Sequence, residues 1–290
     1  MDERTALEML SGALAHAGDD AAVIEDLVLT TDMLHETTDF PDGTTRYTAG
    51  WRAVGASLSD VAAMGAAATA AVAVYAAPEF REEEIREFVT GASEVCEAVG
   101  GAYVGGDLDT HEEFTVATTV VGRSRNPVYR SGARPGDAVC VTGTLGRSAA
   151  ALRLFERGES ARANRLFRFE PRVAAGRALA PHASAMMDSS DGLARSLHQL
   201  AETSGCGFSV ESEEVPIDGA VREVADGRDE AFEMSVFFGE DFELVCTVPK
   251  DELTVARDAS PTPITVIGEV TERGVAMDGE SLPDRGFTHG

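Results

Sequence analysis

Apolar positions along this chain alternate between two rhythms. Short apolar runs bounded by glycine and acidic turns read as strands, and stretches with apolar residues three and four apart read as helices. Ala6, Leu7, Leu10 and Leu14 predict a helix over residues 3–16. Residues 21–24 and 27–31 predict two short strands joined at Glu25-Asp26, followed by a polar loop over 33–45 with the turn signal Pro41-Asp42-Gly43. Trp51, Val54, Leu58 and Val61 fall about a turn apart and predict a helix over 47–64. A small-residue strand over 66–77 is stopped by Pro78, and an amphipathic helix over 80–99 leads to strands at 102–104 and 114–121. This β-β-α-β-α-β-β order predicts an α+β half.

Residues 122–136 are polar and form the candidate linker, which divides the chain into domains at 1–125 and 126–290. The second half predicts a strand at 138–142, a turn at 143–146, and helices at 147–157 and 171–180. A strand at 183–187 and a helix beginning at Leu193, with Leu197 and Leu200 on the same face, come next. Strands at 207–211, 242–248 and 263–270, helices at 219–225 and 250–258, and a hairpin closing near Met277 complete it. No repeat relates the halves. The expected fold class is α/β (α+β) in two domains.

Composition narrows the function. The chain has 290 residues, of which 43% are hydrophobic, enough for a large core. Lys250 is the single lysine, and 24 basic residues face 50 acidic ones for a formal net charge of −26. Such a field repels nucleic acids and anionic membranes, so neither is an expected partner. A dense acidic surface almost free of lysine suits concentrated salt, where repulsion is screened within about 3 Å at 1 M. A halophilic protein is therefore expected. Cys96, Cys140, Cys206 and Cys246 lack metal-type spacing and read as buried free thiols. The start Met1-Asp2-Glu3-Arg4 precedes no secretory apolar region, and the alanine-rich run 61–78 is split by Gly65. A cytoplasmic protein is expected.

The chemistry lies where short apolar strands end on aspartate. Asp32 follows Leu27-Val28-Leu29-Thr30-Thr31, Asp107 follows Tyr103-Val104-Gly105-Gly106, and Asp188 follows Met186-Met187. Asp20 sits in a Gly-Asp-Asp loop beside a strand start. Each alone is ordinary capping or loop chemistry, and Ser189, Ser190 and Asp191 suit a helix start. Several such acids at strand ends, where α/β folds place ligands, suggest a site for divalent cations. Asp60 lies late in a predicted helix among apolar neighbours, where a carboxylate opposes the dipole and resists burial unless a cation meets it. Carboxylates and hydroxyls favour magnesium over zinc, and magnesium implies phosphate. Gly143-Thr144-Leu145-Gly146 lacks the lysine and spacing of a Walker A loop, and no protein-kinase motif set is present. His35 and His111 lie near the acidic segments, where solvated loop histidines are the ordinary outcome. Gly239-Glu240-Asp241-Phe242-Glu243-Leu244 puts acids in a glycine turn before a strand.

Taken in order, these segments resemble a known family. Gly18-Asp19-Asp20-Ala21-Ala22-Val23, Thr30-Thr31-Asp32, Ser57-Leu58-Ser59-Asp60, Gly105-Gly106-Asp107, Arg130-Ser131-Gly132, Asp188-Ser189-Ser190-Asp191-Gly192 and Gly239-Glu240-Asp241 are similar to the ordered motifs of the thiamine-monophosphate kinases. The resemblance spans nearly the whole chain. It implies ATP- and magnesium-dependent phosphorylation of thiamine monophosphate to thiamine diphosphate. It also implies the two-domain aminoimidazole-ribonucleotide-synthetase-like fold, as a homodimer joined through the N-terminal domains. By motif match, Asp20, Thr30, Thr31, Asp32, Asp60, Asp107, Asp188 and Asp191 would hold several Mg²⁺ ions, with Asp32, Asp107 and Asp188 at the catalytic centre. Gly106, Asp107, Arg130 and Ser190 would be near ATP, and Asp39, Glu240 and Phe287 near the thiamine moiety. Sister activities on the same fold are the competing enzymatic readings. Selenophosphate synthesis lacks its reactive cysteine near the N-terminal glycine-rich segment, and hydrogenase-maturation dehydratases end in a cysteine tail this chain lacks. A nucleotide sensor without turnover would not need every aspartate. The acidic composition adds the expectation of a haloarchaeal source.

Overall fold

The computed structural model describes Leu14 and residues 17–286. The helix expected over 3–16 and the position of Phe287 lie outside these described residues. Two sheets organise the rest.

The first sheet has five strands in the order β1-β2-β5-β3-β4, built from β1 (Ala22–Ile24), β2 (Leu27–His35), β3 (Ala67–Ala77), β4 (Ala102–Thr110) and β5 (Thr115–Arg123). β3 and β4 run parallel, joined by a helical crossover, and the other pairs are antiparallel. Alternation splits each strand between two faces. Val28, Ala71, Ala73, Tyr75, Val116 and Val120 are buried beneath helices α2 (Arg46–Ala63) and α3 (Glu82–Ala98). These helices lie backbone to backbone, because a Cβ on Gly50 would stand 2.2 Å from Phe88 O and one on Gly91 2.0 Å from Tyr47 O. On the other face, Leu29, Met33, Val72 and Val74 are 38–58% exposed, an apolar sheet surface that no described element covers.

Between β2 and α2, the expected polar loop instead continues β2 to His35 and adds a single turn, α1 (Glu36–Asp39). The nine-residue antiparallel pairing of β2 with β5 supplies the backbone partners that local polarity did not reveal. β4 likewise extends past residue 104 to Thr110, carried by its register on β3.

The second sheet is β12-β11-β8-β10-β6-β9-β7, with β6 (Ala138–Thr142), β7 (Ala185–Asp188), β8 (Gly207–Val210), β9 (Leu244–Val248), β10 (Ile264–Thr271), β11 (Val275–Met277) and β12 (Glu280–Ser281). Helices α4 (Arg147–Glu156), α5 (Ser160–Phe167), α6 (Val173–Leu179), α7 (Leu193–Ser204), α8 (Gly219–Val224), α9 (Arg228–Val236) and α10 (Leu253–Ala259) accompany it. α5 and α9 were not expected from the sequence. Each is charged and has few buried positions, so apolar periodicity is a weak guide there. β9 begins at Leu244 rather than 242, because Phe242 has φ 55° and cannot lie in a ladder.

The halves share an apolar seam. Ala62 and Ala63 of α2 pack with Cys140, Met186, Leu179, Leu244 and Cys246 of the second half. Polar contacts continue it: Asn164 Oδ1 accepts from Thr45 N at 2.9 Å, and its amide donates to Gly43 O at 2.8 Å.

Candidate functional site

β7 is an edge strand of the second sheet, and its open edge is met by the linker at Tyr129 and, at its end, by Asp20 of the N-terminal half. Met186 N donates to Tyr129 O at 3.0 Å, and Asp188 N faces Asp20 Oδ1 at 3.4 Å. The Gly18-Asp19-Asp20 loop is thereby fixed against the end of β7, while α2 delivers Asp60 to the same point. One carboxylate oxygen from each of Asp20, Asp60 and Asp188 lies within 4.8 Å of the others. Thr30 Oγ1 donates to Asp60 Oδ2 at 2.5 Å. Two residues along β2, Asp32 accepts a short hydrogen bond from Ser57, whose hydroxyl also meets Thr118 Oγ1 at 2.7 Å.

Arg130 is the one cation seen to be built into this cluster among the described residues. Its guanidinium forks onto both oxygens of Asp20 at 3.1 Å, and its backbone N–H donates to Asp19 Oδ1 at 2.7 Å. Burial opposes the Arg130 charge, but Asp20, Asp188 and Asp60 outweigh it and hold the guanidinium above its usual value. One arginine does not balance the acids. Burial, then the charges of Asp32, Asp188 and Asp20, push Asp60 well above the carboxylate range. Burial, reinforced by Asp20, lifts Asp188 to about 7 although Ser59, Arg130 and the Ser190 N–H draw it down. Asp19 is raised as well, again chiefly by burial. Asp188 is 1% exposed, and its Oδ2 has no hydrogen-bond partner among the described residues. A buried carboxylate oxygen left open beside two more carboxylates fits an oxygen-seeking cation.

A second centre lies along α2. Arg52, 3% exposed, donates to Glu240 Oε2 at 2.6 Å and to Phe167 O at 2.7 Å. Its guanidinium lies 3.6 Å from the centre of the Phe167 ring. Burial lowers its pKa, against the pull of Glu240, Asp241 and Asp39. Asp39, held by the His35 N–H at 2.7 Å, and Glu240 line one pocket of about 120 Å³ with Phe40, Leu152, Phe167 and Phe238. Arg52 and Asp60 are eight residues apart on one helix, so the two centres are separated by about 12 Å.

The turn carrying Glu240 couples both centres. Glu240 N donates to Ser190 O at 2.7 Å and Ser189 N to Glu243 O at 2.8 Å, tying the turn to the segment after Asp188. Glu240 and Phe242 have φ of 61° and 55°, unusual for side-chain-bearing residues and a mark of stored strain. Asp241 between them is buried and accepts from Gly146 N at 2.5 Å and Ser148 N at 2.9 Å, filling the N-terminus of α4. Burial pushes Asp241 to about 7 against those two bonds.

The structure thus gathers Asp20, Thr30, Asp32, Asp60, Asp188 and Arg130, with Ser190 and Asp191 on the adjoining turn, and Asp39 with Glu240. It sets Thr31 apart, on the uncovered sheet face beside Thr119. Gly106 and Asp107 lie farther off. The register runs Asp32–Thr118–Ala73–Gly106 across four strands, three strand steps or about 14 Å, and Asp107 shares the uncovered face with Val74. Beside them a cavity of about 600 Å³ opens between α3 and β4, lined by Phe88, Val89, Ser93 and Tyr103. Arg52, Ser57 and Asp19 were missed as site residues. A basic residue inside the apolar stripe Trp51-Val54-Leu58, and the serine preceding Asp60 by three, were the available signals.

Comparison with known proteins agrees with this architecture. Residues 18–124 match the family model for the AIR synthase related protein, N-terminal domain, and residues 134–278 that for its C-terminal domain. Thiamine-monophosphate kinase of Halobacterium salinarum is 60% identical over 291 residues, covering 100% of both chains. A solved structure described as AaThiL complexed with AMPPCP and TMP superposes with a TM-score of 0.91 at 31% identity, covering 100% of this chain and 97% of that one. The hydrogenase maturation protein HypE of E. coli, at 23% identity and a TM-score of 0.71 over 98% of this chain and 96% of that one, shares the fold alone.

Proposed function

The chain belongs to the thiamine-monophosphate kinase family, and on that premise we propose that it transfers the γ-phosphoryl group of ATP to thiamine monophosphate, giving thiamine diphosphate and ADP. The observation that carries this is the convergence of Asp20, Asp60 and Asp188 at the seam between domains, with one buried carboxylate oxygen unsatisfied. The oxygen-only donor set fits Mg²⁺, which Asp20, Thr30, Asp32, Asp60, Asp188 and Asp191 would hold within this chain, while Thr31 and Asp107, on the other sheet face, would contribute only from outside that cluster. Bound there, the metal would supply charge neutralisation for the phosphates and for the charge that develops on transfer.

The protein's own part is placement. The acceptor phosphate monoester has a second pKa near ~6 and is mostly dianionic at neutral pH. It attacks without a general base, which agrees with a site that has no histidine or lysine among its central residues. Asp39 and Glu240 hold the thiamine moiety in the small aromatic pocket, and the motif match adds Phe287, which lies outside the described residues. Arg130 and Ser190 meet ATP at the acidic cluster, and Gly106 and Asp107, which lie farther off in this chain, reach it from a neighbouring protomer. Water exclusion and in-line geometry supply most of the rate.

Asp107 faces away from Asp32 in its own chain, so we assign it to the neighbouring site of a homodimer. A second copy on the apolar face of Leu29, Met33, Val72 and Val74 buries that surface and brings Asp107 to the partner's acidic cluster. Domains at 1–125 and 126–290 fit the division into two sheets. No helix among the described residues is long and apolar enough to cross a membrane. We place the reaction in the cytoplasm, where both charged substrates reside.

The test is an assay in concentrated KCl with ATP, Mg²⁺ and thiamine monophosphate, with thiamine diphosphate detected as its fluorescent thiochrome. Magnesium-dependent product from the monophosphate, and none from free thiamine, is expected. Well-folded protein that binds ATP but yields no diphosphate would overturn the assignment.

A further inference from the structure

Arg52 lies far from the acids that handle phosphate, yet it is among the most elaborately held side chains in the molecule. It reaches from α2 of the first domain into the second. One terminal nitrogen donates to Phe167 O at 2.7 Å and approaches Ser148 Oγ at 3.3 Å; the other donates to Glu240 Oε2 at 2.6 Å. Phe167 covers its face at 3.6 Å, and Phe169 and Phe242, stacked on each other at 4.3 Å, close the cage at 5.4 and 5.5 Å. Such a guanidinium is fixed in position and orientation.

Its partner is only half used. Glu240 Oε2 is tied to Arg52, while Oε1 has no hydrogen bond recorded among the described residues and belongs to a side chain lining the Asp39–Phe238 pocket. The backbone of Glu240 is pinned too, since its carbonyl accepts from Ser148 Oγ at 2.6 Å and its N–H donates to Ser190 O at 2.7 Å. That backbone has φ 61°, a conformation that relaxes unless its surroundings hold it. Two carboxylates, Asp39 and Glu240, line the pocket with Phe40, Phe167 and Phe238, a lining that suits a cationic aromatic head group.

We propose that Arg52 is a positioning residue for the organic head of the acceptor, fixing Glu240 so that one carboxylate oxygen faces the pocket and sets affinity for a cationic ring. This deepens the kinase reading and rests on it. A thiazolium–aminopyrimidine head meets a rigid anion instead of a mobile one. Arg52 touches no reacting atom, so its loss weakens acceptor binding and leaves metal and nucleotide binding in place.

The experiment measures KM for thiamine monophosphate and for ATP, and kcat, in Arg52→Gln, Arg52→Lys, Glu240→Gln and the Arg52→Gln/Glu240→Gln double variant. Binding of thiamine alone is followed through the fluorescence of Trp51, the chain's single tryptophan. Arg52→Gln is expected to raise KM for the acceptor by about 10–100-fold, the worth of one charge-assisted hydrogen bond. KM for ATP should stay within about twofold. Arg52→Lys should recover part of the loss, since an ammonium reaches Glu240 but does not fork, and the double variant should be no worse than the poorer single one. An unchanged acceptor KM in folded Arg52→Gln, an equal loss for ATP, or additive single effects would each overturn the proposal. Should Arg52→Gln fail to fold, Glu240→Gln decides: an unchanged acceptor KM there overturns it. Wild-type protein that binds ATP and Mg²⁺ but never phosphorylates thiamine monophosphate defeats the kinase reading instead, which separates the two failures.

Discussion

Replacing Asp188 by asparagine should stabilise the metal-free protein while removing its response to magnesium. Burial and Asp20 lift Asp188 from its ordinary 3.8 to about 7 in the folded chain. A carboxyl group whose folded pKa lies above its unfolded value binds more protons when folded. Its stabilising contribution is full below about pH 3.8 and is lost as pH rises through about 7. At up to about 1.36 kcal/mol per pH unit, the loss is about 2 kcal/mol between pH 5 and 7, approaches about 3 kcal/mol by pH 8 and levels off there. Asparagine carries no charge to desolvate. Its oxygen keeps the Ser190 N–H, and its amide can donate to Asp20 or Asp60 in place of the unsatisfied Oδ2. The variant's advantage should therefore grow by about 3 kcal/mol from pH 5 to pH 8, or roughly 6 °C in Tm at about 2 °C per kcal/mol for a chain of this size. Thermal melts in concentrated KCl with EDTA, repeated with MgCl₂, measure it. The wild type should regain stability with magnesium at pH 8 and Asp188→Asn should not. Parallel pH curves for the two proteins, or a magnesium shift that survives in the variant, would refute the reasoning.

Asp32→Asn and Asp107→Asn should each abolish turnover with the fold intact by circular dichroism. Coexpressed, they should regain roughly a quarter of wild-type activity, because a mixed dimer rebuilds one whole site; no recovery would place both residues in one protomer's site. Val74→Asp puts a charge on the apolar outer face; if the proposed homodimer forms there, light scattering should show the wild type as a dimer and the variant as a monomer, whereas a dimeric variant would move the interface elsewhere. Arg172→Met leaves the buried Glu243, now held by two bonds of 2.6 and 2.8 Å, without its cation, and should cost about 3–5 kcal/mol in chemical denaturation. Dialysis from concentrated salt into dilute buffer should unfold the protein as repulsion among its −26 net charges loses its screening.

Several features were legible in the sequence because they are local. Apolar rhythm marked most strands and helices, since burying one face is a property of each segment by itself. The aspartates at 20, 32, 60, 107 and 188 stood out by type, and the ordered motifs carried the family; the expected strand-end position holds for Asp188, whereas Asp32 and Asp107 lie inside β2 and β4, which backbone pairing with β5 and β3 extends beyond them. Charge alone set the acidic, salt-adapted character. What the chain order could not convey was who meets whom. Asp20 and Asp188 touch although 168 positions separate them, because an edge strand of one sheet is closed by a loop of the other domain. Arg52 looked like a stray base in an apolar helix until the Glu240 turn, 188 positions away, arrived beside it. The register of four strands, rather than any motif, turned Asp107 to the opposite face from Asp32. Desolvation follows the same logic: the raised pKa of Asp188 and Asp60 exists only once both domains exclude water around them. Side-chain identity sets what each residue can do, but long-range packing fixes distances, facing and dielectric, and those decide which residues act together.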